Sequence, residues 1–249
     1  MLRCFPHLLL LLLCCLPLPA FAAVPKKGPP PPPGPETMEL KTLMLERGKL
    51  MIDNPMNQKS MDDDWRGFQP GKWQCEEGQG VKVTAVPGDH GPYRIRHFDL
   101  TDFVLQVSFM FDGVDDLNFG FDNDGGQHLM GCHLSPDGIA IGRTPLIGKD
   151  RKDDAMDHAT CKLERGVWHT LVWECKGQEM LACVDQKWVV YGNTDGIDCY
   201  KTYTAFSTGA VPGKFIHVAN YRAWQAAGFT ADWETKKRAR VVEYKAKKH

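Results

Sequence analysis

The sequence predicts an all-β protein of two antiparallel sheets, packed as a sandwich or barrel, with helix only at its margins. Three observations support this: apolar and polar residues alternate strictly in short segments, turn-forming residues separate those segments, and helical spacing is confined to the two ends. The clearest segment places Phe103, Leu105, Val107, Phe109 and Phe111 on one face and Gln106 and Ser108 on the other, so a half-buried strand is expected there. Further strands are expected at Leu117–Asp122, His128–Leu134, Gly138–Arg143, Trp168–Cys175, Met180–Asp185, Lys187–Tyr191 and Lys214–Trp224. Between them, Asn123-Asp124-Gly125-Gly126, Ser135-Pro136-Asp137-Gly138 and Gly177-Gln178 supply turn chemistry that tolerates positive φ. A two-residue turn at Gly177-Gln178 would pair Cys175 with Met180 and Val172 with Cys183, leaving the two sulfurs on opposite faces of the hairpin. Helix is expected at Met38–Arg47 and Ala231–Lys248.

The chain has 249 residues, 43% of them hydrophobic, and its 30 Lys and Arg against 31 Asp and Glu leave a formal charge of -1. This is globular composition, long enough for one large domain or two small ones. A balance so close to zero removes the attraction that dominates nucleic-acid binding, so no such partner is expected.

Residues 1–22 carry one arginine, a Leu-rich run from Leu8 to Leu16, and Ala20-Phe21-Ala22, which together have the form of a secretory signal peptide. Cleavage is expected after Ala22, and with it a secreted or extracytoplasmic location. A lipoprotein signal at Cys14 or Cys15 is the alternative, but leucines stand before both where a small residue is wanted. No other segment approaches the ~20 apolar residues that span a bilayer, so no transmembrane segment is expected. Residues 23–37 contain the run Pro29–Pro33 and read as an extended polyproline linker. A sandwich domain over residues 38–226 follows, then a basic tail over 227–249 with seven Lys and Arg against Asp232, Glu234 and Glu243. That tail reads as a solvated helix, or as a contact for an anionic surface.

Past the leader stand Cys75, Cys132, Cys161, Cys175, Cys183 and Cys199, an even number for which disulfides are permitted but not demanded. Their spacing is wrong for zinc, so buried thiols are the favoured reading.

Several motifs carry a family resemblance. Trp168-His169-Thr170-Leu171-Val172-Trp173-Glu174 followed by Gly177 to Asp185 resembles the strand pair of concanavalin A-like and laminin-G-like jelly rolls. In the same order, Trp65 to Cys75, Phe98 to Leu105 and Val218-Ala219-Asn220-Tyr221-Arg222-Ala223-Trp224 resemble other strands of that fold, most of all in secreted bacterial proteins grouped with the 3-keto-disaccharide hydrolase domains. The resemblance runs from about Lys41 to Ala226 and implies a two-sheet antiparallel jelly roll that acts on or binds sugars. It also makes His169 part of a fold signature, not a catalytic group. This chain departs from the pattern at Gln186, where glycine is usual, and has His128 to His133 where enzymatic members carry a Tyr-Glu-x-Gln-Ile-like segment.

Candidate chemistry is sparse. Retaining glycoside hydrolysis needs two carboxyls ~5–5.5 Å apart, yet the only acid near a strand centre is Glu174, with Glu179 in the adjoining turn. There is no Gly-x-Ser-x-Gly, and Ser135 and Ser207 read as turn residues. No phosphate-binding glycine loop opens a helix. Asp112, Asp115, Asp116, Asp122, Asn123 and Asp124 offer oxygen ligands for calcium, but they read first as turn formers, and no cofactor is expected. Trp168 and Trp173 alternate with Leu171 and read as core. The polar strand residues Asn118, His128, His133, Arg143, His217, Asn220 and Arg222, with Trp224 or Tyr221 to stack on a ring, suit hydrogen bonding to sugar hydroxyls. Three functions therefore stand open: a glycan- or surface-binding module without its own catalysis, a 3-keto-glycoside hydrolase or lyase, and a domain that binds protein.

Overall fold

The structure, a computed structural model, describes residues 34–69, 71–86, 91–144, 154–209 and 211–237. The expected leader, the proline run and the tail beyond residue 237 lie outside the described residues. Fifteen strands run in chain order as β1 Leu45–Asn54, β2 Arg66–Gln69, β3 Gly71–Glu76, β4 Gly80–Ala85, β5 Tyr93–Leu100, β6 Phe103–Asp112, β7 Leu117–Asp122, β8 His128–Ser135, β9 Gly138–Arg143, β10 Asp154–Thr160, β11 His169–Lys176, β12 Glu179–Val184, β13 Trp188–Asn193, β14 Lys201–Thr208 and β15 Phe215–Phe229. One sheet has eight strands in the order β13-β12-β11-β6-β15-β4-β3, with β1 also on β15; the other has seven, β10-β9-β8-β7-β14-β5-β2. Pairing between the strands is antiparallel throughout.

The inner faces meet in an aromatic core, where Phe103 lies 4.4 Å from Phe121 and Trp173 lies 5.0 Å from Phe121, centroid to centroid. Trp65 sits edge-on between Phe206 and Tyr221 at 5.2 and 5.3 Å, and the Tyr221 hydroxyl crosses the core to donate to Thr204 at 2.7 Å. Trp173 is core as expected, but Trp168 is not. Strand β11 begins at His169, so Trp168 falls before the alternation, half-buried, and donates from Nε1 to Gln79.

The β11–β12 hairpin has the expected register, Cys175 opposite Met180 and Val172 opposite Cys183, with Gly177 at φ 57°. Asp185 and Gln186 form the next turn with φ of 53° and 56°. The non-glycine residue there is held by its Nε2 donating to the Lys41 carbonyl at 2.8 Å. Among the described residues the cysteines stand as thiols.

Residues 38–44 form no helix. Their main-chain groups are taken by side chains of the eight-stranded sheet instead: the buried Glu174 carboxylate accepts from Leu43, Met44 and Leu45 at 2.5–2.9 Å. Gln106 accepts from Leu40 N and donates to Met38 O, and Asn220 donates to Glu36 O. Leu45 then opens β1, which explains why β15 extends five residues past the expected end: it has a partner there. The short helix near this margin is α1, Gln58–Asp64, capped by Asn57 accepting from Ser60 N at 2.9 Å. A helical turn over residues 233–237 brings Trp233 onto the same outer face. The extended segment 36–44, a strap across the sheet, and this turn bury Val104, Val172, Leu181, Cys183 and Trp224 in a second apolar layer. Strand β6 is accordingly buried on both faces, where half burial was expected. No helix among the described residues is long and apolar enough to cross a membrane.

Two predictions follow from these contacts. Glu174→Ala strips three buried N–H groups of their acceptor, each worth ~1–3 kcal/mol. Hydrogen exchange at Leu43–Leu45 should rise by at least about a hundredfold, while exchange at Phe103–Phe109 slows or quickens only with global stability.

The second concerns His169, whose Nδ1 lies 2.6 Å from Asp185 and whose Nε2 lies 3.1 Å from the Glu164 carbonyl. Burial, the largest single influence, opposes its charge, but Asp185 and that carbonyl outweigh it and hold the imidazole above its ordinary value. The folded state thus keeps a proton the unfolded chain releases, so this contribution is fully present below the ordinary imidazole range and fades as pH rises through the raised value. Unfolding free energy measured from pH 5 to 9 should fall across that window, and less so in His169→Gln.

Candidate functional site

The strap covers the outer face of the eight-stranded sheet over β6, β11 and β15; among the described residues the outer face of the seven-stranded sheet is open, and its register sorts the side chains into three rows. In antiparallel strands, paired residues line up across the sheet, perpendicular to the chain direction. The first row is Tyr93, Ser207, Asn118, His133, Ala140 and His158. The second is Ile95, Ala205, Gly120, Gly131 and Gly142. The third is His97, Tyr203, Asp122 and His128. Two polar rows therefore flank a trough whose floor is almost bare of side chains.

Glycine inside a strand weakens it and often marks the close approach of a ligand or another backbone. The fold does not require it at Gly120: a Cβ there would meet only the Met130 carbonyl at 3.5 Å and the Asn118 amide at 3.9 Å, both ordinary contacts.

Above this floor lies a hollow of about 260 Å³, walled by Asn118, His133 and Ser207 on one side and by Asp122 and His128 on the other, with Arg143 at its β9 end. Asn118 is oriented with its amide nitrogen donating to the Cys132 and Phe119 carbonyls at 3.2 and 3.3 Å. The buried Asp122 carboxylate lies 2.7 Å from His128 Nδ1 and accepts from the Tyr93 hydroxyl at 3.4 Å. Burial and then the Asp122 charge push the Tyr93 phenol far above its ordinary value, so it remains a donor. Arg143 is steered by the Asp195 carbonyl and carboxylate at 2.9 and 2.8 Å. His133 stands exposed with Asp116 at 3.8 Å. The result is a set of donors and acceptors around a space free of side chains, with Asp122 its one carboxylate among the described residues.

Of the eight residues singled out from the sequence, the structure brings Asn118, His128, His133 and Arg143 together here. The other four lie on β15 of the opposite sheet. Asn220 and Arg222 donate to the strap carbonyls of Glu36 and Met38 at 2.8 and 3.1 Å, and Trp224 is buried in the second apolar layer beneath the Arg47 guanidinium. His217 is buried 3.4 Å from Asp112, and burial, more than its neighbours, lowers its pKa. Alternation alone could not assign the strands to sheets.

Sequence reasoning passed over Tyr93, Tyr203, His97, His158 and the glycine row. Ser207 and Ser135, read as turn residues, lie in β14 and β8. The acids weighed for calcium take separate partners: Asp115 pairs with Arg165, Asp122 with His128, and Asn123 Oδ1 accepts from Gly125 N and Gln127 N as a turn former. Among the described residues no three His, Cys, Asp or Glu side chains are placed to share a metal. Glu174, the one acid expected near a strand centre, is buried under the strap and faces no open surface.

Comparison with solved structures settles the architecture. The chain is similar to the carbohydrate binding module CBM66 from Bacillus subtilis, with a TM-score of 0.50 and 10% identity over 65% of this chain and 96% of that one. It is likewise similar to a Bacillus subtilis protein of unknown function with a galectin-like fold, at TM-score 0.55 and 11% identity over 74% and 99% of the two chains. The fold is a concanavalin A-like jelly-roll sandwich. A sialidase matches at TM-score 0.55 and 12% identity over 70% of this jelly roll, which spans 18% of the sialidase chain. No family model matches the sequence, and no curated protein does.

Proposed function

We propose that this jelly roll is an extracytoplasmic glycan-binding module, and that sugar lies in the glycine-floored trough of the seven-stranded sheet. The observation that carries the reading is the trough itself: a polar-walled groove across strands, floored by glycines, that at Gly120 lacks a side chain the fold would accommodate. Ligand sites take this form, concave with a few well-placed polar groups. Hydroxyl-rich sugars need both donors and acceptors, which Asn118, His133, Asp122, Tyr93 and Arg143 supply together. The likeness to a carbohydrate binding module supports the reading, and the secretory form of residues 1–22 is consistent with a ligand outside the cytoplasm.

A glycan array probed with the full chain tests it. Binding to at least one glycan is expected, reduced about tenfold or more in Asn118→Ala and His133→Ala. Arg222→Ala and Asn220→Ala, on the covered sheet, should bind as the parent does. Loss confined to the second pair would move the site to the opposite face, and no binding on the array would sink the proposal.

A further inference from the structure

Two further hollows lie on the same face. One, of about 380 Å³, is lined by Asp63, Asp64, Arg66, Arg96, His97 and Tyr203; the other, of about 360 Å³, is lined among others by Asp116, His133, Asp137, Ala140 and His158. Neither is separate from the central one. His133 lines both the central and the third hollow, while Tyr203, in the second, is register-paired with Asp122 in the first. The three follow one another from the third row at β5 to the first row at β10, so together they cross the strands obliquely over the glycine floor.

From His97 on β5 to His158 on β10 the path crosses five strand spacings, roughly 24 Å at ~4.8 Å each, and shifts four residues along the strands, roughly 13 Å, so its ends lie roughly 27 Å apart. This is about the length of five sugar rings in an extended chain. The central hollow is the middle of that path, not its end, so a ligand filling it continues on both sides. The chemistry of the walls narrows the class further. Five carboxylates, of Asp63, Asp64, Asp116, Asp122 and Asp137, stand against three guanidiniums, of Arg66, Arg96 and Arg143, and among the described residues no lysine lines any of the three hollows. A polyanion would meet net repulsion here, whereas carboxylates and imidazoles accept hydrogen bonds readily from neutral hydroxyls. His97 and Tyr203, ring centroids 4.7 Å apart, add a stacking platform at one end.

We infer that the three hollows are one continuous track that holds an internal stretch of a neutral linear glycan, about five sugar units long, running across the strands with its middle ring over Gly120 and Gly131. This rests on the glycan-binding reading above and goes beyond it in naming the length, direction, charge and non-terminal character of the ligand.

The test has two stages. Affinity electrophoresis of the full chain through gels containing xylan, mannan, β-1,3-glucan or β-1,4-glucan is compared with gels containing alginate or polygalacturonate. Calorimetry then follows the di- to octasaccharides of the neutral polymer that retards most. Retardation by a neutral polymer is expected, with affinity rising about thirtyfold or more from disaccharide to pentasaccharide and flat beyond about six units. Gly120→Val should melt as the parent does yet lose at least about tenfold for every length, with Gly120→Ala as the milder variant. His97→Ala and His158→Ala, at the two ends, should erase the gain of long over short chains and leave the disaccharide unaffected. Equal affinity for di- and hexasaccharide, or retardation only by alginate or polygalacturonate, would overturn the track while leaving glycan binding intact. Silence in all six gels and on the array would overturn both.

Discussion

The buried carboxylate of Glu174 is the contact on which the arrangement of this protein depends. It is fully enclosed and takes main-chain hydrogen bonds from three successive residues of the strap. A carboxylate in such a place is costly unless its oxygens are satisfied. Its burial opposes ionisation and raises its pKa, while the three N–H donors and then Arg47 pull the other way. The strap that satisfies it is in turn what makes the eight-stranded sheet an interior layer, with apolar residues on both of its faces. One side of the sandwich is thereby covered by the chain itself, and among the described residues the other is left uncovered.

That other side differs in kind. Apart from Ile95, the outward positions of its three rows are polar or very small. Where the covered face spends Asn220, Arg222 and Gln106 on strap carbonyls and amides, the open face holds Asn118, Asp122 and Arg143 by their immediate neighbours and leaves the space above the glycines unfilled. The same residue types thus do different work on the two sheets, according to whether a segment of the chain itself lies over them.

The sequence reading reached the fold through alternation, and most strongly where one face is purely apolar: Leu117–Asp122 and Gly138–Arg143 match their strands residue for residue. It missed β1 to β5, β10 and β14. In β5, Tyr93-Arg94-Ile95-Arg96-His97, arginines hide the pattern. Their guanidiniums lie over Trp73 and Trp65, so the side chains cover apolar surface although they are charged. The helix expected at Met38–Arg47 failed for a reason no local pattern holds, since its main-chain partners are more than 50 residues away. Half of the candidate site was legible as polar residues on strands. The other half was misassigned because His217, Asn220, Arg222 and Trp224 obey the same alternation on a sheet whose outer face is covered. The glycine row is invisible to any reading that does not already know which residues are cross-strand neighbours.

The hairpin of β11 and β12 carries two sulfurs into two different compartments. Cys175 points into the layer between the sheets, and Cys183 into the layer beneath the strap. A thiol reagent therefore distinguishes two kinds of opening in a single molecule: peeling of the amino-terminal segment uncovers one sulfur while the sandwich remains shut over the other. The pair thus reports separately on loosening of the strap and on opening of the sandwich.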